Sequence, residues 1–102
     1  MASAETVAKA LGLSVDEVRK RALIALLNEE LRKVRSEKAT ILVRYGVKSF
    51  EELWEKIERD EIDDTVAHDD IVRLDYLEHR ERVLRQILEE LTGNGKRSMQ
   101  RH

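Results

Sequence analysis

Between Ser14 and Gly46 the chain has no glycine, and it has no proline anywhere, so nothing stops a helix begun at Val15 before Tyr45. A helix over residues 15–45 is about 46 Å long. Such a rod cannot bury itself and must find partners along its length. Ile24, Leu27, Leu31, Val34, Lys38, Ile41 and Tyr45 recur at alternating steps of three and four, a heptad seam broken once by the charge of Lys38. Leu23, Leu26, Ala39 and Leu42 widen the seam into a stripe suited to more than one neighbour.

The flanks of this helix predict the rest of the fold. Ser14-Val15-Asp16-Glu17 has the order of a capping box, and Ser3 can cap a short helix that closes before the turn at Gly12. Ser49-Phe50-Glu51-Glu52 repeats the capping order and opens a short helix over 50–61 with Phe50, Leu53, Trp54 and Ile57 on one face. Asp63 or Asp64 can then cap a last helix over 65–92, whose seam is Ile71, Leu74, Leu77, Leu84, Leu88 and Leu91, with Glu81 at the remaining position. Residues 93–102 have no apolar period and read as a disordered basic tail. The expectation is a single all-α domain over 1–92: a long antiparallel helical hairpin with a short connecting helix and a short N-terminal helix. A register that sets Tyr45 beside Leu74 brings Lys38 opposite Glu81. One hairpin leaves part of the Leu23, Leu26, Ala39 and Leu42 stripe uncovered, which predicts a homodimer.

Composition narrows the function classes. The chain has 102 residues and no cysteine, so it holds no disulfide framework and no thiolate metal site. The apolar run Ala22 to Leu27 is far too short to span a membrane, and the N-terminus lacks the order of a signal peptide, which predicts a cytoplasmic protein. Residues 1–48 carry ten Lys/Arg against six Asp/Glu, whereas residues 49–92 carry six against fifteen. Such polarity suits faces that meet differently charged partners, and equally the solvation that long helices need.

Several constellations bear on chemistry. Residues 6–19 have the order of a helix-turn-helix, but Asp16 and Glu17 stand where bases would be read, which leaves Arg19, Lys20 and Arg21 as the candidate phosphate contacts. Asp60, Glu61, Asp63, Asp64, Asp69 and Asp70 crowd around His68, yet they lack the order of a calcium loop, and capping with solvation explains them more simply than a metal does. No residue is assigned as a metal ligand or cofactor contact. No serine has a context that would activate its hydroxyl, and no glycine-rich phosphate loop is present, so no catalytic residue is assigned. An aromatic stripe such as Phe50 and Trp54 is more often core than an exposed anchor.

Leu13-Ser14-Val15-Asp16-Glu17-Val18 ahead of a leucine-rich helix, then Arg44-Tyr45-Gly46-Val47-Lys48-Ser49-Phe50-Glu51-Glu52-Leu53, the acidic stretch and Asp70-Ile71-Val72-Arg73-Leu74, resemble the small helical prokaryotic antitoxins of toxin–antitoxin pairs. The likeness covers about residues 13–92, although no β-strand operator-binding arm is evident at the N-terminus. The resemblance implies a non-enzymatic protein that neutralises a basic, ribonuclease-type toxin through its acidic C-terminal half. Phe50, Trp54 and Ile57 would then be the apolar anchors, and Asp60, Glu61, Asp63 and Asp64 the electrostatic rim. Two other readings stay open: a helix-turn-helix DNA-binding regulator and a self-associating helical adaptor.

Overall fold

The computed structural model describes residues 2–93. All its regular structure is helical: α1 (Ala4–Leu11), α2 (Val15–Arg44), α3 (Phe50–Glu58) and α4 (Asp64–Thr92), with no strand among the described residues. The chain is therefore all-α, and its two long helices form the antiparallel hairpin with α3 as the connecting helix. The tail predicted over 93–102 lies, beyond Gly93, outside the described residues.

Local chemistry sets each boundary. Ser3 accepts from the Thr6 backbone at the start of α1, and Ser14 accepts from Glu17 N at 3.0 Å at the start of α2. The Glu17 carboxylate accepts from Arg21 Nε at 3.0 Å rather than closing the reciprocal half of a capping box. Ser49 caps α3 through Glu52 N at 3.0 Å, while the Glu52 carboxylate reaches one residue further back, to Lys48 N at 3.1 Å. Both glycine stops close as Schellman turns: Leu13 N donates to Ala8 O across Gly12, and Val47 N donates to Leu42 O across Gly46. Each of these glycines has a positive φ, 70° and 65°.

The end of α3 differs from expectation. The sequence pattern extends the helix to residue 61, but it stops at Glu58, because Asp60 takes the left-handed conformation with φ 60°. Glu61 N then donates to Lys56 O, the same six-to-one closure that a glycine would make. Aspartate tolerates this backbone better than most residues, which is why a helix can end here without glycine. Asp63 caps α4 by accepting from Thr65 N at 2.8 Å, so that helix begins at Asp64.

The fold divides into two compact units: Leu31–Val83, and residues 2–30 with 84–93. In the first, Leu31, Val34, Ile41, Val47, Leu53, Ala67, Leu74 and Leu77 are all buried. The second is built from α1, the first half of α2 and the end of α4, and buries only Ala8 and Leu84.

Candidate partner-binding surface

Within the Leu31–Val83 unit, α3 presents two different faces. Leu53 is completely buried, Phe50 and Ile57 are half-buried, and Trp54 is 46% exposed. The Phe50 and Trp54 rings lie nearly parallel, 9° apart, with centroids at 6.4 Å, an offset stack that fixes the indole on the surface. The stripe is thus not simply core. Leu53 alone is wholly spent on folding, and Trp54 remains available as an amphipathic anchor.

Acidic residues flank this anchor along the chain. From Phe50 to Asp64 there are eight carboxylates against Lys56 and Arg59, and all but Glu52 belong to exposed residues. Asp60, Glu61, Asp63 and Asp64 lie along the turn after α3 and its junction with α4. Of these, Asp63 holds the α4 cap and Glu61 pairs with Arg59 Nε at 2.7 Å.

The acidity of α4 has a different use. Lys38 Nζ lies 2.7 Å from Glu81 Oε1 and 3.1 Å from Glu78 Oε1, and Arg35 Nε lies 2.9 Å from Glu81 Oε2. Arg44 Nη1 reaches Asp70 at 2.8 Å, and the Tyr45 hydroxyl donates to the same carboxylate. Glu37 and Arg73 close a pair of opposite polarity, with Nη2 to Oε1 at 2.8 Å. Part of the charge asymmetry between the two halves of the chain is therefore neutralised inside the hairpin, where basic α2 meets acidic α4. The Lys38–Glu81 pairing is the one the heptad register predicts, although Tyr45 meets Asp70 one turn away from Leu74.

These contacts shift titrations. The hydrogen bond from Tyr45 holds the Asp70 carboxyl below its ordinary range, with Arg44 adding to it, and Lys38 does the same for Glu81. Burial pushes the Lys38 ammonium down, but its bonds to Glu81 and Glu78 outweigh this and leave it raised. The Tyr45 phenol is raised by its bond to Asp70. A depressed carboxyl contributes stability above its unfolded pKa and loses it as pH falls through the folded one; a raised lysine or phenol contributes stability below its unfolded pKa and loses it as pH rises through the folded one. Thermal stability is therefore expected to fall below about pH 4.5 and again above about pH 10. Asp70→Asn should flatten the acid limb in melts followed by circular dichroism. An unchanged acid limb in Asp70→Asn would show that the Tyr45 and Arg44 contacts contribute nothing in solution.

The other predicted contacts lie elsewhere. Arg19, Lys20 and Arg21 are exposed near the start of α2, in the unit that contains α1, but Arg19 is 3.9 Å from Asp16 and Arg21 is 3.0 Å from Glu17. Two of the three cations are thus offset by their own helix. No group of three His, Asp or Glu converges to hold a metal ion among the described residues, and Asp63 and Asp70 are already engaged. No described helix is long and apolar enough to cross a membrane.

A family model described as the uncharacterized protein MJ0235 family matches residues 1–96, which takes in all four helices and the acidic turn. The chain belongs to the MJ0235 family. No curated protein and no solved structure matches it. Nothing in the MJ0235 match points to toxin–antitoxin membership.

Proposed function

We propose that this MJ0235-family chain is a non-enzymatic, cytoplasmic binding protein of antitoxin type that acts as a homodimer and masks a basic, ribonuclease-like protein with its α3 surface. The observation that carries this reading is Trp54, stacked on Phe50 and 46% exposed amid a run of exposed carboxylates. A desolvated aromatic centre with a charged rim is the usual anatomy of a protein interface: the aromatic supplies affinity, and the charges speed encounter and reject partners of the wrong sign. Lys38, Arg35 and Arg44 answer Asp70, Glu78 and Glu81 of α4 within the hairpin, whereas most carboxylates of α3 and its turn stay exposed to a basic partner.

The test is co-expression with the products of adjacent genes, read by co-purification and by relief of growth inhibition. Trp54→Ala is expected to weaken capture by about 2 kcal/mol or more. A combined Asp60→Asn, Glu61→Lys and Asp64→Asn variant, which leaves the Asp63 cap in place, is expected to slow association about tenfold at low salt with little change in melting temperature. Equal association rates for this variant and the wild type would reduce the acidic segment to a solvated face.

A further inference from the structure

The seam of α2 that faces α4 is not its only heptad. Asp16, Arg19, Leu23, Leu26, Glu30 and Lys33 recur at steps of three, four, three, four and three along the same continuous helix, one residue behind the first seam and so rotated from it by about 100°, just over a quarter turn. At its centre Leu23 is 50% exposed and Leu26 is 56% exposed. The compact unit that contains these two leucines buries only Ala8 and Leu84, so it has apolar surface to spare.

The order of charges along this second seam reads minus, plus, leucine, leucine, minus, plus. Run against itself in the opposite direction, it is self-complementary: Leu23 meets Leu26, Arg19 meets Glu30, and Asp16 meets Lys33, each twice. Run parallel, it sets Arg19 on Arg19 and Glu30 on Glu30. The four charges sum to zero, so neither an acidic nor a basic partner gains net attraction here, whereas an antiparallel copy of the same helix matches at every position. We infer that a second copy of this chain docks on the Leu23–Leu26 face of α2, antiparallel, with the two-fold axis passing between Ile24 and Ala25. This rests on the self-association proposed above and names its face and register; none of its residues lies on α3.

Sedimentation equilibrium of the full chain at micromolar concentration is expected to show a dimer. Leu26→Glu is expected to raise its dissociation constant at least about 100-fold while leaving helicity unchanged, because the side chain is already exposed in one copy. Arg19→Glu and Glu30→Arg should each weaken the dimer about tenfold, and the double variant should return to within about threefold of wild type, since the swapped charges meet again across the axis. Because the chain has no cysteine, Leu23→Cys and Leu26→Cys proteins can be mixed and oxidised, and the mixed disulfide should dominate both self-disulfides. A wild-type monomer would overturn self-association itself. A dimer indifferent to Leu26→Glu, or one giving Leu23→Cys self-disulfides in excess, would overturn only this face and register.

Discussion

Leu53→Ala is expected to destabilise the protein by about 2–5 kcal/mol, against a total of about 5–15 kcal/mol for a domain of this size. Leu53 is completely buried, and the nine-residue α3 is too short to persist as a helix unless packing holds it. Its other apolar residues cannot compensate, because Phe50 and Ile57 are only half-buried and Trp54 faces solvent. The chain has one tryptophan, and it lies on α3, so its fluorescence reports this helix separately from the circular dichroism of α2 and α4. In Leu53→Ala the Trp54 emission should shift to the red at a lower denaturant concentration than the loss of helicity. Val43→Ala, at a residue 76% exposed on α2, should stay within about 0.5 kcal/mol of wild type. Equal costs for the two substitutions would mean that α3 is not anchored through Leu53.

The consequence for function follows from the same residue. If α3 detaches, the Phe50–Trp54 stack loses its support, and loss of partner capture in Leu53→Ala would be a folding effect. Trp54→Ala removes the exposed anchor while leaving Leu53 in place, so comparing the two separates presentation of the surface from recognition by it.

The sequence made the long-range frame legible because that frame depends on punctuation and period. Ser14, Ser49, Gly12 and Gly46 mark helix ends by backbone chemistry that leaves few alternatives, and the heptad through Leu31, Val34 and Ile41 specifies which face of α2 is buried. Features that depend on which of several similar groups arrives first were harder to read. Asp60 could have been one more helical residue, and only the backbone shows that it takes the glycine-like position. Glu52 was expected to bond to its own cap residue but bonds to Lys48 instead. Charge balance by halves pointed to partners, whereas side-chain geometry shows that Asp70, Glu78 and Glu81 answer cations on α2. Trp54 and Leu53 are neighbours on one short helix, and no periodicity in so few residues could tell which of them the fold would bury.

Lys38 and Glu81 offer the most direct measurement of register. Both sit on apolar seams, with side chains 17% and 14% exposed, and each would be costly to leave without its partner. The structure modifies the simple expectation for an isolated pair, because Arg35 also holds Glu81 and Glu78 also holds Lys38. After Lys38→Met, Glu81 keeps Arg35; after Glu81→Leu, Lys38 keeps Glu78. Each single substitution should therefore cost about 1–3 kcal/mol rather than the larger loss typical of a stranded buried charge. The double variant replaces both charges with apolar groups on a seam that already favours them, so it should recover much of the loss and give a coupling of about 1–2 kcal/mol in a double-mutant cycle. Lys38→Met should be the milder single change, since Arg35 can still bond Glu81 from the same helix as the lost lysine, whereas Glu81→Leu deprives Lys38 and Arg35 of a shared carboxylate. Adding Arg35→Ala to Lys38→Met should then expose the full penalty at Glu81. Additive costs across the Lys38 and Glu81 cycle would mean that in solution the two side chains extend to water along their own stems, and that the hairpin register is set by the leucines alone.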